Sequence, residues 1–557
     1  MRLQLSRGVK RLAKFSIAAG IVAFAGASAT VGAADAVTDA AQFGAISEAQ
    51  STVLTKPTTA TSKMVVSQRM KDITPKPNNE AEKEREIRRL PLPASMTQIP
   101  LRPAPGSTAA ITGPSGLAGP LVAATTGINF AGLGQGDYGF NVNSAPPDTT
   151  GAVGATQYVQ WVNTSLVIFD KASGARLVGP ISGNQIFANL GSGNRCATTN
   201  DGDPIVSYDK AAARWVLTQF VASSPYLQCV AVSQTSDATG AYNLYSFTLP
   251  QFGDYPKVGV WTDAYYISFN VFTSTFQGAR ACAYDRARML AGQTATQVCF
   301  QLSSSFGGLL PSDLDGSTPP PAGSPNYFTS FGSSRINVWR FHVDFATPTN
   351  STFTGPTVVT VPAFTTACGN SSTCIPQPGT SNQLDSLSDR LMFRLAYRNR
   401  AGTQSLLMNH SVRVGNRRTS PTGVRWYEIR LANQTPSLYQ QGTYSPDTTH
   451  RWMGSIAMDK VGNIGLGYSA SSSSVFPSIR YTGRAPTDAL GTLSTENTII
   501  TGSGSQTGSL HRWGDYSTLT VDPIDDCTFW YTQEYGSSNG SFNWKTRIAS
   551  FRFPSCS

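Results

Sequence analysis

Asp148, Asp203, Asp254, Asp389 and Asp515 each stand close before an alternating apolar run, with Arg390, Arg451, Arg512, His450 and His511 in or beside the same short contexts. Two carboxylates opposed across a sugar ring can serve as acid and as base or nucleophile in hydrolysis. A His or Tyr base, with an Arg neutralising a uronate, suits elimination instead. Tyr255, Tyr516, Trp452 and Trp513 add flat faces of the kind that stack on sugars. Asp254, Asp515, His511, Arg512 and Arg451 form the candidate catalytic set, and His450, Tyr255, Tyr516, Asp203, Asp389 and Arg390 the candidate binding set.

The contexts repeat. His450-Arg451-Trp452-Met453-Gly454 returns as His511-Arg512-Trp513-Gly514-Asp515, and two of the chain's four histidines fall in this pair. Gly514-Asp515-Tyr516 is matched by Gly253-Asp254-Tyr255, Gly202-Asp203-Pro204 opens a third version, and Asp389-Arg390-Leu391 and Asp148-Thr149-Thr150 open two more. The spacing of roughly 50 to 60 residues is that of four-stranded blades with long loops. Tyr158–Asn163, Leu166–Phe169, Ile336–Val343 and Ile464–Tyr468 read as strands, with turns at Asp170–Gly174 and Asp459–Asn463. No long helical period interrupts them. The pattern predicts an all-β chain, a β-propeller of six or seven four-stranded blades, over residues 127–557. A parallel β-helix would have shorter and more regular repeats.

In a propeller the residues entering successive inner strands converge on one face, so Asp148, Asp203, Asp254, Asp389, Arg451 and Asp515 are expected to share one funnel. A structural reading stands beside the functional one. A repeated Asp at a strand start also satisfies turn N–H groups, and a repeated Trp also packs between blades. A loop His needs no function, although its repetition beside Arg is unusual.

Two segments precede the fold. Arg2, Arg7, Lys10, Arg11 and Lys14, the apolar stretch Phe15–Phe24 and small residues at Ala27-Ser28-Ala29 or Gly32-Ala33-Ala34 predict a signal peptide over residues 1–34. Residues 35–126 are rich in Ala, Thr, Ser and Pro and lack Cys, Trp and Tyr. They carry a charged patch at Glu80–Arg89 and read as a flexible linker or pro-segment with one short helix. No segment reaches the length of a membrane-spanning helix. These features imply a secreted protein, periplasmic or extracellular, taken as a monomer.

The net charge of +10 comes mostly from outside the fold, since the folded part carries 28 bases and 25 acids. That near-neutrality, and the lack of a phosphate-binding glycine loop, point away from nucleic acid. The candidate site residues suggest a polysaccharide or glycoconjugate partner for a hydrolase or lyase, and the alternative is a non-catalytic propeller that binds glycan or protein at the cell surface as an adhesin or scaffold. Eight cysteines fall into local pairs, Cys196 with Cys229, Cys282 with Cys299, Cys368 with Cys374 and Cys527 with Cys556, as disulfides of an exported chain. No Cys-x-x-Cys pair suggests zinc, and no cofactor is required. Asn200-Asp201-Gly202-Asp203 and Asp313-Leu314-Asp315-Gly316-Ser317 offer oxygen clusters of the type a structural calcium takes, though neither completes a twelve-residue loop. Gly502–Gln506 is a broken form of a serine-nucleophile elbow with no strand-to-helix context.

The motifs Pro147-Asp148-Thr149-Thr150-Gly151, Asp254-Tyr255-Pro256-Lys257, Gln383-Leu384-Asp385-Ser386-Leu387, Arg451-Trp452-Met453-Gly454 and Arg512-Trp513-Gly514-Asp515-Tyr516 together resemble an uncharacterised family of large exported bacterial β-propeller proteins. The resemblance covers the folded part and implies architecture without a reaction. At the level of architecture only, the chain also resembles propeller sialidases and polysaccharide lyases. The Ser-x-Asp-x-Gly-x-Thr-Trp box of sialidases is missing.

Overall fold

The computed structural model describes residues 56–76, 81–86, 88–97, 124–369, 371–417 and 419–557. The signal peptide expected over residues 1–34 lies outside them, as do residues 35–55, 77–80 and 98–123 of the segment read as a linker.

Among the described residues, seven antiparallel four-stranded groups follow one another. Blade 1 begins with inner strand Thr150–Val153, blade 2 with Ile205–Asp209, blade 3 with Phe252–Val260 and blade 4 with Leu310–Asp315. Blades 5, 6 and 7 begin with Met392–Arg400, His450–Met458 and Thr518–Val521. Each inner strand neighbours the next, and blade 7 returns to blade 1, so the ring is closed. Blades 4 and 5 go further: their inner strands pair in parallel, Ser312 with Leu395 through Asp315 with Arg398. Blade 7 takes its outer strand, Thr125–Ala131, from the N-terminal side of the fold.

The inner strands are buried on both faces, so they read as near-continuous runs such as Ile205-Val206-Ser207-Tyr208-Asp209. The middle strands are buried in the same way between blades, and exposure begins at outermost strands such as Thr352–Thr360 and Thr435–Tyr444. Turn chemistry follows from the residues. Asp170 Oδ1 accepts from Ser173 N at 2.8 Å, and Asp459 Oδ1 accepts from the amides of Val461, Gly462 and Asn463 at 2.8–3.0 Å. The disulfides are Cys196–Cys229, Cys282–Cys299, Cys368–Cys374 and Cys527–Cys556, the pairs expected from local spacing. No helix among the described residues is long and apolar enough to cross a membrane.

One expectation is corrected. Asp313 and Asp315 do not form an open oxygen-rich turn. They sit on the inner strand of blade 4, where Arg394 meets them at 2.8 and 2.5 Å and Lys210 meets Asp315 at 3.2 Å. Those cations make two aspartates tolerable in a buried strand. In the segment before the ring, Lys83–Glu84 is a short strand beside Ser144–Ala145, and Ala94–Thr97 is a short α-helix. Upstream, Thr58–Ser62 adds a fifth strand to blade 3, and Val65–Val66 does the same for blade 2.

Candidate functional site

Each blade entry turns through a residue with left-handed backbone. These are Asp148 (φ 47°), Asp203 (47°), Tyr255 (56°), Gly308 (61°), Leu387 (41°), Met453 (55°) and Asp515 (57°). Asp tolerates this region better than most residues, so part of the repeated aspartate pattern is backbone geometry. The kink also sets side-chain direction. In both His-Arg-Trp copies a left-handed residue directly follows the Trp, Met453 (φ 55°) in the first and Gly514 (φ 70°) in the second, where Asp515 extends the kink. The copies differ in setting: His450-Arg451-Trp452 lies inside strand His450–Met458, whereas His511-Arg512-Trp513 lies ahead of its blade's inner strand Thr518–Val521.

The two arginines have different surroundings. Arg512 turns into the ring entry, where it pairs with Asp515 and lies 3.7 Å from Asp385. Arg451 turns the other way. Glu496 takes its guanidinium at 2.7 and 2.8 Å, Asp447 at 2.9 and 3.1 Å, and the Thr449 carbonyl at 2.8 Å. Its side chain is 0% exposed, so Arg451 is a saturated structural cation and not part of the funnel as expected. His450 stays with it, accepting from Thr422 N at 3.3 Å, and burial pushes its imidazole down to about 4. His511 stands exposed at the rim, its Nδ1 3.0 Å from the Gln383 carbonyl oxygen.

The other entry residues do converge. Asp148, Asp203, Asp254 and Asp515 lie within one another's electrostatic reach, together with Lys257, Arg390 and Arg512. Asp148 is buried; its Oδ2 accepts from Asn163 Nδ2 at 2.9 Å, while Oδ1 has no partner among the described residues. Burial pushes its carboxyl well above the usual range, and Asp515 and Asp203 add to the rise. Asp203 and Asp254 keep part of their surface. Burial raises both, Asp254 to about 7, where Asp203 reinforces it and Arg390 and Arg88 oppose it. Asp389 forms an ion pair with Arg390 at 2.7 Å.

Tyr255 and Tyr516 are walls and not platforms. They meet edge to face, 5.8 Å apart, and donate their hydroxyls to the carbonyls of Asp515 and Pro204 at 3.0 and 2.8 Å. The Lys257 ammonium sits between them, 3.5 Å and 3.8 Å from the ring centres, so neither face is free for a sugar. Trp452 and Trp513 pack 6.0 Å apart in the core, in keeping with the structural reading.

Several residues of this site were not singled out from sequence. Lys257 is fully buried, and desolvation lowers its ammonium to about 7 against the pull of Asp203, Asp148 and Asp515. Its signal was the motif Asp254-Tyr255-Pro256-Lys257, in which a lysine precedes a buried strand. Asp385, buried beside Arg512, is raised to about 6, chiefly by burial. Glu534 is buried behind Gly514, accepts its amide at 2.8 Å and is pushed well above the usual range by burial. Among the described residues no cluster of His, Cys, Asp and Glu is arranged to hold a metal ion.

Fold and site together define an all-β propeller with a carboxylate-rich entry funnel. No protein-family model matches the chain, and no curated protein matches it. Solved structures match at low identity. An exo-β-1,3-galactanase from Clostridium thermocellum is 13% identical at TM-score 0.30, over 73% of this chain and 91% of that one. An endo-arabinase from Bacteroides thetaiotaomicron is 13% identical at 0.27, over 63% and 92%. The WD40 domain of SCAP from fission yeast is 9% identical at 0.30, over 72% and 82%. Likenesses this distant carry no argument about chemistry.

Proposed function

We propose that this is an exported carbohydrate-active enzyme that cleaves a glycosidic bond of a polysaccharide or glycoconjugate in the entry funnel. The observation that carries the reading is the division of labour among the funnel carboxylates. Asp254, raised to about 7 chiefly by burial, is protonated in about half of the molecules at neutral pH and can give that proton to a leaving oxygen. Asp515 is neutralised by Arg512 and serves as the base that activates water or as the nucleophile. The acid's proton goes to the departing sugar oxygen, and water supplies the new hydroxyl at the anomeric carbon. Four disulfides are the mark of an oxidising compartment, which agrees with export.

The test is a screen of the mature protein against neutral and uronate-containing polysaccharides, with the product ends analysed. Asp254→Asn and Asp515→Asn are each expected to lower turnover by about 100-fold or more. Full turnover in both variants would overturn the assignment, and unsaturated product ends would replace hydrolysis with elimination.

A further inference from the structure

The funnel is covered by the chain's own N-terminal segment. Glu84 Oε1 accepts from the amides of His511 and Arg512 at 2.7 and 2.9 Å. The Arg85 carbonyl takes a hydrogen bond from Arg512, and the Arg88 carbonyl takes one from Arg390 at 2.9 Å. The Leu90 amide donates to Asp389 Oδ2 at 2.8 Å. Four candidate site residues, His511, Arg512, Arg390 and Asp389, are thus among the strap's partners, beside the Asn143 and Ala145 carbonyls and Thr366.

The charges are complementary as well. Without the strap, the funnel sets the carboxylates of Asp148, Asp203, Asp254, Asp385, Asp389 and Asp515 against the three cations Lys257, Arg390 and Arg512. The strap brings Arg85 toward Asp203, Arg88 toward Asp254 and Arg89 toward Asp385. Its hold is mostly polar. Glu82, Lys83, Glu86 and Arg89 face water, and among the described residues of the strap only Leu90, with Phe220, Phe252 and Phe272, and Met96 are buried in apolar clusters. Under Leu90–Met96 a cavity of about 140 Å³ remains, bounded by Phe276, Phe306, Phe331 and Arg390. Well-packed interfaces leave few voids of that size. The upstream anchors are firmer, since Thr58–Ser62 is paired along its full length with blade 3.

We propose that residues 81–86 and 88–97 are an intramolecular pseudo-ligand, a displaceable strap whose arginines stand where an incoming ligand's cationic groups bind, so that the opened funnel takes a glycan bearing free amino groups. The glycan class rests on the function proposed above; the occlusion rests on the contacts alone. A strap closed most of the time lowers apparent affinity by the open fraction, and loosening it removes that loss.

The experiment compares the full-length protein with Arg85→Ala/Arg88→Ala and, separately, Leu90→Ala, which weakens the apolar anchor and leaves the charges. Probes are a glucosamine oligosaccharide, its N-acetylated counterpart, a galacturonate oligomer and a synthetic peptide of residues 84–91. Thermal unfolding confirms that both variants fold. In both, the glucosamine oligomer is expected to bind about tenfold tighter than to the wild type, with the acetylated and uronate oligomers unchanged. Hydrogen exchange at the Leu90 amide should rise in the variants and again on saturation with that oligomer. Equal binding of the acetylated oligomer, preference for the uronate, binding of the peptide alone, or exchange at Leu90 indifferent to ligand would each overturn the proposal. Selective binding without any cleavage would sink the hydrolase reading while supporting the strap.

Discussion

The two ends of the inner strands hold similar numbers of buried charges and treat them in opposite ways. At the exit end the charges are matched: Arg394 with Asp313 and Asp315, Lys210 with Asp315, Arg286 with Asp209 at 2.6 Å, Lys171 with Asp522 at 2.7 Å and Arg398 with Asp526 at 2.7 Å. Burial works against the Asp315 carboxylate, yet Arg394 and Lys210 hold it below its ordinary range. At the entry end Asp148, Asp203 and Asp254 are raised, Lys257 is lowered, and the strap supplies part of the neutralising charge. Buried charge with complete partners builds a structure; buried charge left incomplete is where proton chemistry and ligand binding become available.

The sharpest way to break this comparison is to remove a partner at the matched end. Arg394→Met leaves Asp313 and Asp315 uncompensated and is expected to cost about 3–5 kcal/mol in denaturant unfolding. A loss under about 1 kcal/mol would mean that the two ends do not differ. Arg451→Lys, which replaces a two-sided fork by a point charge between Asp447 and Glu496, should cost about 1–3 kcal/mol and leave turnover unchanged. A selective loss of turnover there would return Arg451 to the site.

At the incomplete end the sign reverses. Asp254 titrates at about 7 in the folded protein, against about 4 in an unfolded chain. The folded state therefore holds an extra proton in that window, and stability falls as pH rises from about 4 to about 7. Lys257, lowered to about 7, adds stability that grows as pH rises from about 7 to about 10.5. Asp254→Asn should remove the falling limb and stabilise the protein by about 1–2 kcal/mol at pH 8, less than the full shift because water reaches this carboxyl. A destabilised Asn variant at that pH would contradict the assignment. The smallest effect is expected at the rim, where His511→Ala should change stability by under about 0.5 kcal/mol.

Much of the fold was legible because it is periodic. Alternation at Tyr158–Asn163, turn residues at Asp170–Gly174 and locally paired cysteines each report a local geometry. The convergence of Asp148, Asp203, Asp254 and Asp515 was legible too, since a blade repeat implies it. The fate of the two arginines was not, because Arg451 lies inside its blade's inner strand and Arg512 ahead of its own, a difference the matching triplets do not show. Lys257 was hidden for another reason: apart from its near neighbour Tyr255, the groups that define it, Asp148, Asp203, Asp515 and Tyr516, come from other blades, about 50 to 260 residues away. The path of the charged patch across the funnel was not legible either, since the Arg85 and Arg88 carbonyls are bound by Arg512 and Arg390, partners that no local pattern encodes.

The closure of blade 7 by Thr125–Ala131 bears on how the chain comes into being. The strand that completes the ring emerges early in synthesis, while Thr518–Val521, Phe529–Tyr535 and Lys545–Arg552 emerge last. Until they arrive that strand has no sheet to join, and Asp515 and Arg512 have not reached Asp148 and Asp203. A protein exported before folding meets this condition without penalty, whereas one that began to fold on the ribosome would carry an unclosed ring and open sheet edges for most of its synthesis.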